Sequence, residues 1–418
     1  MNDHAGPAVT SPETSALIPD ESRTVSLPTL VVLAFVIGIV AALGAVVFRV
    51  LIAVVHNAFF LGKFGVVYDA NQFDPANGWG LLILLAPIVG GLIVVWLVQT
   101  FAPEAKGHGV PEVMYAIYHN NGNVRGAVAI VKSLASAISI GSGASVGREG
   151  PIIQIGASFG STLARLLHLS RWQKITLLSA GAGAGIAATF NTPLGGVMFA
   201  VELLLPEVSN RTFLPVVVAT TTATSVARLV FGLSPHSSFR KPGAPSPSIP
   251  LLFAAFALLG VAAGVASWLF IRVLAWSEDF FPILPGNAYT QNIVGMLLIG
   301  LIFLGFQYWT GHAQTAGVGY STIQSILDGG NYSVVLLIAL FAGKLLATTI
   351  SLGAGASGGV FSPSLFIGAT LGGAIGASGL ALFPAAGFSV IEFAVVGMGA
   401  IVGGATGASM TAIVMISR

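Results

Sequence analysis

The chain alternates between long apolar segments and a few short polar ones. The apolar runs lie at 28–55, 80–98, 251–273, 292–306 and 334–352. Because a helix needs about 20 predominantly apolar residues to cross a bilayer, this pattern predicts an all-α polytopic membrane protein. The first run is too long for the apolar core of a cleaved signal peptide, so we expect it to remain as a membrane span.

Two polar stretches divide the chain. Residues 1–26 are rich in Ser, Thr, Pro and Asp, which predicts a disordered tail. Residues 233–249 carry four prolines and a basic pair and indicate a linker. We therefore expect a first membrane repeat over 27–232 and a second over 250–418. A short basic sequence, RWQK at 171–174 between two apolar runs, indicates a loop on the cytoplasmic side.

Composition agrees with this class and excludes several functions. Apolar residues make up 55% of the chain and charged residues 8%, and the mean hydropathy is +0.90, which indicates a multi-pass protein of the cell membrane, surrounded by lipid. The net charge of +2, with no basic cluster, gives no sign of nucleic-acid binding. Cysteine is absent and the seven histidines show no metal-ligand spacing, so we expect neither a metal nor a cofactor.

The two halves of the chain contain the same sequence pattern. KSLASAISIGSGASVGREGPIIQIGASFG at 132–160 and KLLATTISLGAGASGGVFSPSLFIGATLG at 344–372 are identical at 15 of 29 positions, with Glu149 opposite Phe361. Duplicated halves are typical of transporters whose sites lie at the repeat interface. Two further blocks recur in the same order: GHG at 107–109 with GVG at 317–319, and GAGAGIAAT at 181–189 with GMGAIVGGA at 397–405.

Three segments share a break at glycine, then a proline, then an apolar helix. They are GHGVPEVM at 107–114, GREGPIIQIG at 147–156 and GVFSPSLFIG at 359–368. Proline suits the first helical turn, because its missing N–H needs no partner there. A helix that begins inside the membrane leaves its first N–H groups unpaired, and these donors favour an anion. We expect the three starts to converge on one anion site; alternatively, the glycines merely permit close helix packing.

One of these breaks also contains a carboxylate. Glu149 follows Arg148 within a long run of apolar residues. Charged groups in the hydrocarbon core are costly, so an intramembrane carboxylate is a functional-site hypothesis.

The motifs resemble those of the CLC family of voltage-gated chloride channels and chloride/proton exchangers. That family carries GxGxP, G(K/R)EGP and GxFxP elements in this order. Here they are Gly107-His108-Gly109-Val110-Pro111, Gly147-Arg148-Glu149-Gly150-Pro151 and Gly359-Val360-Phe361-Ser362-Pro363. A fourth block, NTPLGGVMFAVELLLPE at 191–207, is also similar to that family, and the resemblance covers nearly all of the chain from about residue 30 to 418.

The resemblance implies two inverted repeats of tilted, partly broken helices, assembled as a homodimer with one anion pore in each subunit. It implies that Glu149 is the gate, whose carboxylate occupies an anion site until protonation or displacement frees the path. This role agrees with elementary chemistry, because a carboxylate competes among helix N-termini for the place that chloride occupies. The anion-binding groups implied by the resemblance belong to His108, Gly109, Val110, Arg148, Gly150, Val360 and Phe361.

Two positions depart from the family pattern. His108 replaces a serine of many members; its ring either contacts the anion or turns aside while the backbone binds, so chloride and other small inorganic anions stay open as substrates. Proton-coupled members carry a Glu–Glu pair where this chain has Glu202 and Leu203. Leucine cannot carry a proton, and Glu202 is either a hydrogen-bonded structural group or a proton relay.

The resemblance also implies a C-terminal helix whose tyrosine hydroxyl contacts the central anion. No residue of the sequence matches that tyrosine, so we expect a second repeat that is truncated at its C-terminal end. Lys132 and Lys344 occupy equivalent places in the repeats. They either raise the positive potential along the anion path or pair with backbone carbonyls at helix ends.

Transport of a small anion competes with two other classes of function. An intramembrane enzyme would use Glu149 with His108 or His119 as acid and base, but it needs a nucleophile or a metal, and neither is indicated. A scaffold would not need the repeated helix breaks. We expect channel-like or weakly proton-coupled chloride transport, not an enzyme; the alternative is a chloride/proton antiporter with a non-standard internal proton route.

Overall fold

The computed structural model of the protein describes residues 23–74, 80–232, 249–384 and 387–417. Within these ranges the chain forms α-helices, joined by loops and by short 3-10 and π-helical segments. In chain order they are α1 Leu27–His56, α2 Leu85–Phe101, α3 Val110–His119, α4 Gly126–Gly141, α5 Glu149–Leu166, α6 Arg171–Phe190, α7 Pro193–Phe199, α8 Asn210–Phe231, α9 Ile249–Phe280, α10 Ala288–Thr310, α11 Tyr320–Leu327, α12 Val334–Gly353, α13 Phe361–Leu382, α14 Val390–Thr406 and α15 Ser409–Ile416.

Several helices are long and apolar enough to cross a bilayer. Seven such segments occur among the described residues, built on α1, α2, α8, α9, α10, α12 and α13. Helices α4, α7 and α14 are apolar but shorter. The chain is therefore a multi-pass integral membrane protein, and the all-α fold class predicted from the hydrophobic pattern is confirmed.

The order of elements in the first half recurs in the second. Helices α3 to α6 are followed later by α11 to α14, in each case a short helix, a long helix, a glycine break and two packed long helices. A Cβ atom placed on Gly156 of α5 would lie 2.1 Å from the carbonyl oxygen of Gly181 on α6, and one placed on Gly368 of α13 would lie 2.3 Å from that of Gly397 on α14. Glycine therefore permits the same close helix contact in both halves.

The polar segments predicted from the sequence are only partly covered by the described residues, and one of them differs from its prediction. Of the tail expected at 1–26, the described residues contact the body: the N–H of Arg23 donates to the carbonyl of His168 at 2.7 Å. The linker expected at 233–249 lies outside the described residues, except for the first residue of α9. The loop expected at 171–174 is wrong, because α6 begins at Arg171 and Gln173 is buried against the backbone of Val25.

Candidate functional site

Three helix starts meet at one place in the fold. Helices α3, α5 and α13 each carry a proline in the first turn, at the positions expected from the sequence. The N–H of Gly147 donates to the carbonyl of Gly359 at 2.6 Å, and the N–H of Gly359 donates back at 2.7 Å. A Cβ atom placed on Gly109 would lie 2.4 Å from the carbonyl oxygen of Gly150. The three glycine breaks are thus in direct backbone contact.

The segment before α3 has a backbone that favours glycine. Gly107 and Gly109 have φ values of 96° and 94°, which side chains rarely tolerate. The N–H of Gly109 donates to Oε2 of Glu112 at 2.7 Å, so this donor is already bound within the first turn of α3. Gly109 therefore supplies a sharp turn, and its N–H points to a carboxylate of its own helix.

Glu149 is fully buried at the centre of this junction. Its Oε1 accepts a hydrogen bond of 2.5 Å from the hydroxyl of Tyr320. Its Oε2 accepts from the hydroxyl of Ser362 and, at 3.2 Å, from the N–H of Ser362. Nε of Arg148 lies 3.7 Å from Oε1. Hydrogen-bond donors and a positive charge surround this carboxylate, so the site favours a negatively charged group.

Tyr320 is a site residue that the sequence reasoning missed. It is the first residue of α11, which follows the glycines at 317–319 that match those at 107–109. Its hydroxyl lies 3.0 Å from the hydroxyl of Ser362, and the guanidinium of Arg148 lies 4.9 Å from the centre of its ring. The recurrence of the glycines was the available signal, since the residue directly after them begins the equivalent helix.

The two anion-binding positions expected near α13 lie directly before the helix and at its start. Val360 precedes the helix and Phe361 is its first residue. The backbone N–H that reaches Glu149 belongs to the next residue, Ser362. The ring of Phe361 is buried and packs 5.4 Å from that of Phe190, measured between ring centres.

Two buried lysines hold the segments that lead into α3 and α11. Nζ of Lys132 donates to the carbonyls of Ala105 and Gly107 at 3.0 and 2.6 Å. Nζ of Lys344 donates to the carbonyls of Thr315 and Gly317 at 3.1 and 2.7 Å. Of the two roles expected for these lysines, the structure shows the pairing with backbone carbonyls, at equivalent positions in both halves.

The two positions that depart from the family pattern have different surroundings. Nε2 of His108 lies 3.1 Å from Oε1 of Glu278 on α9, so the ring is directed toward a carboxylate. Glu202 binds the start of α15: its carboxylate accepts from the N–H groups of Met410 and Thr411 at 3.1 and 2.9 Å and from the hydroxyl of Thr411 at 2.8 Å. Leu203 follows it and offers no polar group.

A second arginine lies near the Arg148 side of the site. Arg49 and Arg148 line the same small cavity together with Thr189. The guanidinium of Arg49 also lies 4.4 Å from the ring centre of Phe231. Two cations in a mostly apolar cavity produce a positive potential that attracts anions. Among the described residues, no group of three His, Asp or Glu side chains is placed to hold a metal ion.

Comparisons with known sequences agree with this geometry. A family model described as voltage gated chloride channel matches residues 90–418. The H+/Cl− exchange transporter ClcA of Vibrio parahaemolyticus is 32% identical over 346 residues, which are 81% of this chain and 72% of that protein. ClcA of Klebsiella pneumoniae is 31% identical over 390 residues, which are 92% of this chain and 79% of that protein.

Solved structures show the same architecture. A slow cyanobacterial Cl−/H+ antiporter matches with a TM-score of 0.79 and 26% identity, over 93% of this chain and 88% of that one. A CLC-type fluoride/proton antiporter matches with a TM-score of 0.75 and 22% identity, over 94% of this chain and 90% of that one. At that lower identity, the second likeness concerns the fold alone.

Proposed function

Because the chain belongs to the CLC family of voltage-gated chloride channels, we propose that it exchanges chloride for protons across the membrane, with Glu149 as the gate. The observation that carries this proposal is the donor set around Glu149. Tyr320 and Ser362 direct two hydroxyls and one N–H at its carboxylate. The same donors suit a chloride ion, so the carboxylate and the anion compete for one place.

This competition gives a physical basis for coupling. A proton on Glu149 removes the charge that the donors bind, so the side chain leaves and chloride enters. When the chloride ion leaves, the ionised carboxylate of Glu149 returns to the site. Each protonation event is thereby linked to one exchange of the site's occupant.

The other residues of the three glycine–proline motifs have distinct proposed roles. Val110, Val360 and Phe361 supply backbone N–H groups at helix starts, and Arg148 supplies positive charge beside the gate. Close backbone contact at Gly150 and the turn at Gly109 bring the helix starts together. The remaining motif positions, Gly107, Pro111, Gly147, Pro151, Gly359 and Pro363, set the backbone of the three breaks.

Exchange replaces the channel-like transport that Leu203 led us to expect. The bacterial relatives at 31% and 32% identity are named H+/Cl− exchange transporters, and these names favour the antiporter alternative. Uncoupled chloride conduction remains the second candidate, because Leu203 cannot relay a proton. The two functions differ in whether a chloride gradient moves protons.

The test is a proteoliposome experiment with the purified protein. A chloride gradient is imposed at zero net current and the external pH is recorded. Exchange predicts that protons move against their own gradient, in a fixed ratio to chloride. Chloride flux with no proton movement would assign the protein to uncoupled conduction.

We also propose a homodimer. Helices α7 and α15 pack on each other, and they leave Leu194 and Ile413 exposed at 60% and 61%. In a membrane these side chains lie against lipid or a second subunit, and the homodimer that the family resemblance implies would place the second subunit there. Chemical crosslinking of the protein in lipid vesicles should give a dimer band, and a monomer band alone at all crosslinker concentrations would exclude this assembly.

A further inference from the structure

A close contact joins the GHGVP segment at 107–111 to the end of α9. Nε2 of His108 lies 3.1 Å from Oε1 of Glu278. The Glu278 side chain is 43% exposed, whereas that of His108 is 17% exposed. Lys106 is close enough to Glu278 to interact with its charge. One titratable group of this pair is therefore open to the surroundings, and the other lies deeper in the protein.

His108 is also in contact with the gate segment. A Cβ atom placed on Gly150, the residue after Glu149, would lie 1.9 Å from the carbonyl oxygen of His108. The His108 backbone thus packs directly against the first turn of α5. The pair therefore extends from an exposed carboxylate to the backbone beside the gate.

The other charged groups on the neighbouring segments either bind other atoms or cannot accept a proton. Glu112 accepts the N–H of Gly109. Lys132 on α4 donates to two backbone carbonyls. Lys106 carries no acceptor for a proton at neutral pH. Nε2 of His108 is buried and forms no hydrogen bond with the described residues, and the carboxylate of Glu278, 3.1 Å away, is placed to exchange a proton with it.

We propose that Glu278 and His108 form the second proton-binding station of the exchanger, a role that rests on the exchange function proposed above. Oε1 of Glu278 takes a proton from water and gives it to Nε2 of His108, which becomes an imidazolium. The imidazolium then gives up its Nδ1 proton toward the carboxylate of Glu149 through water in the anion path. The ring returns by tautomer exchange, so one proton enters for each proton delivered.

This second proton-binding station explains how protons pass although position 203 is a leucine. Leu203 cannot hold a proton, and Glu202 is bound by three donors at the start of α15. Glu278 on α9 and His108 before α3 supply titratable groups for a proton route that uses neither Leu203 nor Glu202. His108 is then a proton carrier, in addition to any contact that its backbone makes with the anion.

Glu278→Gln tests the proposal in proteoliposomes. The amide cannot transfer a proton, so the ratio of proton movement to chloride flux under a chloride gradient should fall by roughly 100-fold. Glu104→Gln is the matched control. That carboxylate is 45% exposed, pairs with Arg125 at 2.7 Å, and lies outside the proposed route, so its replacement should leave proton movement unchanged.

The outcomes separate this proposal from the exchange function. No uphill proton movement in the unmodified protein would overturn both. Full coupling in the unmodified protein and in Glu278→Gln would overturn the proton station alone. Glu278→Asp provides a second variant: its shorter side chain keeps a titratable group but widens the gap to Nε2, so proton movement should slow relative to chloride. Unchanged coupling in folded Glu278→Asp would also contradict the proposal.

Discussion

The hydroxyl of Tyr320 donates a 2.5 Å hydrogen bond to Oε1 of Glu149, and so connects the start of α11 to the start of α5. The two residues are 171 positions apart in the chain and belong to different halves. Glu149 of the first half is thus held by a residue of the second half. Any change in the packing of α11 is expected to alter the position of the Glu149 carboxylate.

The Tyr320→Phe variant should transport chloride at a higher pH than the unmodified protein does. The Tyr320 hydroxyl stabilises the ionised carboxylate, so its loss favours the protonated, open gate. A hydrogen bond to a charged group contributes about 1.5–3 kcal/mol. The pH of half-maximal chloride flux should therefore rise when this donor is lost.

The matched control for this change is Tyr332→Phe. Tyr332 lies after the C-terminal end of α11, whereas the Glu149 carboxylate is bound by Tyr320 and Ser362. Its replacement should leave the pH profile where it is. A profile of Tyr320→Phe that coincides with that of the control would show that the hydroxyl does not hold the gate.

Val360→Pro should weaken anion binding. Proline removes the N–H donor at the start of α13 but retains a side chain of similar size. Loss of one buried donor should cost about 1–3 kcal/mol of chloride binding free energy. Val360→Ile keeps the N–H and should bind chloride as the unmodified protein does. Calorimetry that gave equal chloride affinities for folded Val360→Pro and Val360→Ile would refute the role of this N–H.

Gly150→Ala should disrupt the contact between α3 and α5. The added methyl group would lie 1.9 Å from the carbonyl oxygen of His108, a backbone atom that has little freedom to move. Overpacking of this kind typically costs about 1–3 kcal/mol, so the unfolding temperature in detergent should fall. Gly305→Ala on α10 is the control, because no atom lies within 4 Å of the added group. Equal unfolding temperatures for the two variants would contradict the close contact.

The helix starts could be predicted because their signals are local. Pro111, Pro151 and Pro363 each lie in the first turn of the helix that the sequence indicates. The loop expected at 171–174 was wrong because the expectation rested on charge alone. Those residues form the first turn of α6, where polar side chains are also tolerated.

Contacts between the halves could not be predicted in the same way. The pairing of Tyr320 with Glu149, and of Glu278 with His108, depends on how distant helices pack, which a single sequence does not encode locally. The sequence did narrow the role of Lys132 and Lys344 to two alternatives, because their repeat positions are equivalent. The structure shows that both bind carbonyls two residues apart, in the segment before a short helix.

The competition between Glu149 and chloride is tested most directly by comparing chloride flux and proton movement in the unmodified protein and in Glu149→Ala. Both proteins are reconstituted into vesicles, a chloride gradient is imposed, and the external pH is varied. The unmodified protein should move protons uphill and transport chloride in a pH-dependent manner. Glu149→Ala should transport chloride at a rate independent of pH and move no protons. Persistent pH dependence and coupled proton movement in folded Glu149→Ala would contradict the role of Glu149 as the gate.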